Sequence, residues 1–138
     1  MLAKPRTIIK DGVLESYYIG VYYGRKLDCA PTTGSRSNWV IPPGSRSVEE
    51  IARDLPRAIW VDGFMGGNSN PVSGDFSFGI RGMLLEHGEP VQSLSEMNVS
   101  GNLLSLLEQL VEVANDPWDY SSLVTPSLVF DQVQFSGL

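Results

Sequence analysis

Cysteine, histidine, clustered positive charge and long apolar runs are all scarce in this chain, and each scarcity excludes a class of protein. Cys29 is the single cysteine, so no internal disulfide can form, which is the ordinary condition of a cytoplasmic protein. His87 is the single histidine. A zinc site needs three or four ligands at defined spacing, so no metal-ligating residue is assigned. A nucleophilic Cys29 would have only His87 as an imidazole base, and His87 precedes Gly88 in an expected tight turn, where such residues face solvent. No catalytic residue is assigned either. No run of eighteen apolar residues exists to span a membrane, and Met1-Leu2-Ala3-Lys4-Pro5 lacks the apolar stretch of a signal peptide. The expectation is a cytoplasmic protein without a membrane partner.

Positive charge is also thin. Sixteen acids oppose ten bases, for a net charge of −6, and the bases are scattered from Lys4 to Arg81 without a dense cluster. Nucleic-acid binders concentrate cations to displace counterions from phosphates, so no direct nucleic-acid contact is expected.

What is present is punctuation. Fourteen glycines and nine prolines in 138 residues separate short β-like segments. Thr7-Ile8-Ile9 reads as a strand, Asp11-Gly12 as a two-residue hairpin turn, and Val13 to Tyr23 as the return strand. Asp28 to Ser37 is rich in Pro, Thr, Gly and Ser, a composition of functional or partner-facing loops. Trp39-Val40-Ile41 is a short apolar strand. Ser47-Val48-Glu49-Glu50 is a capping box opening a helix that Pro56 ends. Ala58 to Phe64 reads as a strand, Met65 to Asp75 as a Gly- and Asn-rich loop, and Phe76 to Leu85 and Val91 to Val99 as strands flanking the turn Glu86-His87-Gly88-Glu89. Gly63, Gly66, Gly67 and Gly74 match neither a phosphate loop nor a dinucleotide fingerprint. Asn102 can cap a helix from Leu103 to about Ala114, whose Leu-rich face is expected in the core. Leu128-Val129-Phe130 and Val133 to Phe135 form the last strand. With no βαβ alternation, the expected fold is a single α+β domain over residues 1–138. It is mainly antiparallel sheet, sandwich- or barrel-like, with about two helices.

The series Lys4-Pro5-Arg6-Thr7, Asp11-Gly12-Val13-Leu14, Tyr23-Gly24-Arg25-Lys26-Leu27, Thr33-Gly34 and Ser37-Asn38-Trp39 resembles the C-terminal domain of the TldD/PmbA family. The likeness continues through Ser73-Gly74-Asp75-Phe76-Ser77, Glu86-His87-Gly88-Glu89, Ser100-Gly101-Asn102-Leu103 and Phe130 to Gly137, covering nearly the whole chain. Family members are longer, so these residues correspond to their last third. The resemblance implies a cytoplasmic, heterodimeric zinc metallopeptidase acting on unfolded peptides, a family whose members also carry the label "modulator of DNA gyrase". The metal-bearing TldD-type subunit uses a His-Glu-x-x-x-His helix upstream and a cysteine in a Gly-rich loop near the C-terminus. The matching stretch here, Asn115 to Val124, has neither cysteine nor histidine. With the Gly-Asp-Phe-Ser block, this implies the TldE/PmbA-type subunit, with no cofactor of its own and zinc in the partner. The resemblance makes an extended peptide the expected ligand. Its candidate contacts are Thr33, Gly34 and Asn38 in the first loop, and Met65, Gly66, Ser73, Gly74, Asp75 and Phe76 in the second. A stand-alone protein-interaction domain is the competing expectation.

Overall fold

The computed structural model describes residues 4–137. In chain order the elements begin with β1 (Ile9–Lys10), β2 (Val13–Leu14), α1 (Val21–Lys26), β3 (Trp39–Val40), α2 (Val48–Asp54) and β4 (Ala58–Ser69). There follow β5 (Asp75–Glu86), β6 (Glu89–Asn102), α3 (Leu103–Glu108), β7 (Leu110–Val113), β8 (Leu123–Val124), β9 (Leu128–Phe130) and β10 (Phe135–Ser136). The chain divides into two compact units, one holding residues up to 40 together with 119–124, the other holding 41–118 and 125 onward.

In the first unit, β1 and β2 form the expected hairpin, and Asp11 and Gly12 both adopt the left-handed φ that a primed turn requires (50° and 77°). The return strand ends much earlier than Tyr23. Residues Val21–Lys26 are helical, with the Gly24 amide donating to the Gly20 carbonyl at 2.8 Å, and Arg25 and Lys26 complement the carbonyl end of the helix. Tyr17, Tyr22 and Tyr23 are exposed. The β-propensity of a Tyr- and Val-rich run yields here because no neighbouring strand is available to pair with it. β3 pairs in parallel with β8.

The second unit is built on an open antiparallel sheet in the order β10-β6-β5-β4. It is not a closed barrel, since β4 and β10 are free edges among the described residues. The pleat of β5 sorts its side chains. Ile80 faces Met97, Phe78 faces Val99 and Gly82 faces Leu94, which places one continuous apolar row on a single side. Ile80, Leu84, Leu94, Met97 and Val99 are its buried members, with Ile59, Val61, Phe76, Phe78, Val133 and Phe135 packed against them. Met83 and Leu85 point the other way, opposite Trp60 and Ala58 of β4.

Two expectations for this unit are corrected. Met65 to Asp75 is not one loop, because β4 continues to Ser69, leaving only a tight turn before β5. The helix from Leu103 stops at Glu108, and Leu110–Val113 becomes a strand against Leu128–Phe130. Helical spacing of the leucines is overruled by a strand partner reaching back from residues 128–130, which suits the β-branched Val111 and Val113. Of the face expected in the core, Leu103, Leu107 and Val111 are exposed, Leu106 and Leu110 are half-buried, and Ala114 is buried. The local caps hold as read. Ser47 accepts from the Glu50 amide while the Glu50 carboxylate accepts from the Ser47 amide, and Asn102 accepts from the Leu104 amide.

Ile80 is fully buried at the centre of the sheet. Ile80→Ala should lower the stability of the folded chain by about 3 kcal/mol. Urea unfolding followed by circular dichroism measures this, and a loss below about 1 kcal/mol would show that the sheet is not the main core.

Candidate functional site

The longest free backbone edge among the described residues belongs to β4. It is not uniform, since its pairing with β5 slips between Val61 and Gly63 and again between Phe64 and Gly67. Each slip inserts an extra residue and bends the strand. At the second, Gly67 takes φ 137°, and an added Cβ would lie 2.5 Å from Cδ1 of Phe78, so only glycine lets that ring lie across the strand. Phe64 meets Phe78 edge-on with centroids 5.6 Å apart, and Phe76 stacks on Phe78 at 6.1 Å. Phe64 is 67% exposed, so this aromatic row comes to the surface beside the outer half of β4.

The turn leading from β4 to β5 is closed by its own side chains. Asn70 Oδ1 accepts from the amides of Val72 (2.9 Å) and Ser73 (3.3 Å), and the Gly74 amide donates to the Asn70 carbonyl at 2.8 Å. The Ser73 hydroxyl donates to Asp75 Oδ2 at 2.7 Å. Asn102 Nδ2 donates both to the Ser73 carbonyl (2.8 Å) and to Asp75 Oδ1 (2.9 Å), while its Oδ1 caps α3. One asparagine thus clips the turn to the start of the helix. The Asn102 amide and then the Ser73 hydroxyl hold the Asp75 carboxyl below its ordinary value.

The proposed peptide contacts are placed as follows. Met65 and Gly66 lie exposed in the second bulge of β4. Ser73, Gly74 and Asp75 form the clipped turn, with both Asp75 oxygens engaged within the chain, and Phe76 packs on the core. In the first unit, Thr33 Oγ1 accepts from Arg6 Nη2 at 2.6 Å, Gly34 passes close to the backbone of Gly20, and Asn38 is exposed. That loop is pinned through Thr32, whose Oγ1 accepts from the Ile19 amide and donates to the Tyr17 carbonyl. Arg6, 4.8 Å above the Tyr18 ring, belongs to the Lys4-Pro5-Arg6-Thr7 motif but was not among the candidate contacts. Cys29 is exposed in the first unit. His87 occupies the β5–β6 turn at φ 49°, exposed as expected.

Among the described residues no group of three His, Cys, Asp or Glu side chains comes close enough to hold a metal ion. No helix is long and apolar enough to cross a membrane.

Fold and edge together define an α+β domain with an open antiparallel sheet. The profile of the PmbA/TldA metallopeptidase C-terminal domain matches residues 1–137, and the chain belongs to that family. It is 31% identical over 134 residues to "Metalloprotease PmbA" of Escherichia coli O157:H7, and 30% identical over 135 residues to "Metalloprotease PmbA homolog" of Haemophilus influenzae. Each alignment covers 96% of this chain and 30% of the relative, so the chain spans about a third of their length. Among solved structures it resembles a Bacteroides thetaiotaomicron protein described as a candidate modulator of DNA gyrase, with a TM-score of 0.90 and 43% identity over 99% of this chain and 31% of that one. It also resembles TldE of Thermococcus kodakarensis, with a TM-score of 0.87 and 25% identity over 98% of this chain and 34% of that one.

The hydrogen bonds to Asp75 favour its charged form in the folded state. Their stabilisation is present above the unfolded value near 3.8 and is lost as the pH falls through the lower folded value. Asp75→Ala should therefore be less stable than the parent chain near neutrality. The gap in urea midpoint should narrow as the pH drops below 3.8. A gap independent of pH would assign the loss to packing instead.

Proposed function

We propose that this chain serves as the C-terminal domain of the non-metal-binding, TldE/PmbA-type subunit of a two-chain zinc metallopeptidase acting on unfolded peptides. The reading is supported by family membership together with the finding that, among the described residues, no three His, Cys, Asp or Glu side chains group as metal ligands. The stretch Asn115 to Val124, which would carry a cysteine in the metal-bearing type, has no cysteine or histidine. In this reading the chain itself is not catalytic. Its partner supplies the metal, and this domain helps to enclose the chamber and hold an extended peptide. A bound zinc would supply Lewis-acid polarisation and an activated water, both from the partner's side.

The β4 edge suits such a peptide. A strand added to an open edge is held by main-chain hydrogen bonds, which bind sequence-independently, while an adjoining aromatic surface contributes area. Phe64 is that surface. The bulges that bend β4 also discourage unlimited edge-to-edge pairing, so the edge can receive one strand without seeding a fibre.

A second reading has its own support. Leu103, Leu104, Leu107 and Val111 are each exposed, and exposed apolar side chains close in sequence suit contact with another protein. This fits docking to the metal-bearing subunit, and it equally fits a protein-interaction domain with no part in proteolysis.

Mixing the chain with a TldD-type subunit, with and without chelator, separates the two. Chelator-sensitive cleavage of an unstructured peptide that needs both proteins supports the peptidase role. Binding without any effect on cleavage supports the interaction domain, and chelator-sensitive cleavage by this chain alone would overturn the assignment. On the peptide side, Phe64→Ala should weaken binding of an unstructured peptide roughly fivefold while barely moving the thermal midpoint, because the ring is exposed. Isothermal titration calorimetry with paired melting curves reads both quantities.

A further inference from the structure

The face of the sheet turned away from the core is only partly covered. Trp60 of β4 is half-buried there, and Met83, opposite it on β5, is 38% exposed. The β5–β6 turn reaches α2 on this side. Gly88 sits at φ 82°, and an added Cβ would lie 3.2 Å from both Cγ and the amide nitrogen of Arg53, so the turn approaches the helix at a residue without a side chain. The arrangement encloses a cavity of about 370 Å³. Trp60, Met83 and Leu85 give it an apolar floor, and the exposed Glu49, Arg53 and Glu89 stand at its mouth. All of these residues belong to the second unit. A largely apolar cavity of this size with a few polar groups at its rim has the make-up of a binding site.

The charges at the mouth are uncommitted, unlike their neighbours on the same helix. Glu50 caps α2, and Asp54 pairs with Arg46. Among the described residues, Glu49, Arg53 and Glu89 make no side-chain hydrogen bond or ion pair. Two carboxylates face one guanidinium, in a chain of net charge −6, so the mouth favours a cation even with Arg53 opposing it. A lysine or arginine side chain suits both parts of the cavity. Its methylenes can lie on the apolar floor, the indole face of Trp60 attracts its charge, and the carboxylates accept its N–H groups. The position also matters. Trp60 belongs to β4, whose outer edge is open among the described residues. Residues opposite one another across a strand pair point to the same face. A peptide strand laid on that edge therefore turns the side chain opposite Trp60 toward the cavity.

We propose that this cavity is a subsite for a basic side chain, lysine or arginine, of the peptide held on β4. This rests on the peptide-binding reading above and deepens it. Main-chain hydrogen bonds along the edge accept any sequence in any register, and one side-chain subsite beside Trp60 fixes the register by anchoring a basic residue.

The test uses calorimetry on the whole chain with four forms of one unstructured peptide, blocked at both ends and otherwise uncharged. They carry lysine, norleucine, glutamate or alanine at one central position. The lysine form should bind about tenfold tighter than the alanine form, with norleucine, which keeps the stem and lacks the charge, in between. Replacing both mouth carboxylates (Glu49→Gln with Glu89→Gln) should bring the lysine form down to the norleucine form or below it. Both side chains are exposed, so the double variant should keep its fold, which a melting curve checks. Norleucine or glutamate binding as tightly as lysine overturns the basic subsite, and so does a lysine gain that survives in the double variant. Equal binding of all four forms does the same while leaving peptide binding intact. No binding of any form overturns both.

Discussion

The pleat of β5 is the constraint on which the second unit depends. Alternate residues from Phe76 to Leu84 fall on one side, and the antiparallel register sets Val99, Met97 and Leu94 against them. Because the side-chain period of a strand is two, a slip of one residue would turn this entire row to the opposite face. The irregularities of the sheet fall in the strands that flank β5. β4 carries two bulges, and β6 takes up its own extra residues around Glu96, which sits at φ 61°, and Val91. Each insertion bends the ladder without transferring the apolar row.

A sheet of this kind has two edges and two faces, and the chain finishes only some of them. β10 covers just a short stretch of β6. β4 remains open, and the aromatic row beside it runs out into solvent at Phe64. The polar side of the architecture is more complete. Asn102 joins the β4–β5 turn to α3, and Arg46 joins α2 to β7 through Asp54 and Glu112. Polar groups are paired where they hold elements together, while apolar area is left over at α3 and along β4.

The candidate site was legible unevenly. Ser73, Gly74 and Asp75 stood out in the sequence because Asn, Ser, Gly and Asp make turns, and the structure accounts for them as a turn that closes on itself. Thr33 stood out as part of a polar loop, and its meaning changes once Arg6, twenty-seven residues away, is found donating to it. Nothing in the spacing of Arg6, Tyr18 and Thr33 announces their meeting, since it depends on how the segment after β2 folds back.

What the residues determined by themselves was everything governed by a few neighbouring positions. The Asp11-Gly12 and His87-Gly88 turns, the Ser47 capping box, the Asn102 cap and the alternation in β5 all rest on local φ, ψ and hydrogen bonding, and all appear where the residues place them. Tertiary structure decided the cases where two local readings compete. Val21–Lys26 became a helix for want of a strand to pair with, and Leu110–Val113 became a strand because Leu128–Phe130 supplied one. The physical reason is that a helix satisfies its backbone within its own segment, whereas a strand needs a partner whose arrival no local pattern records.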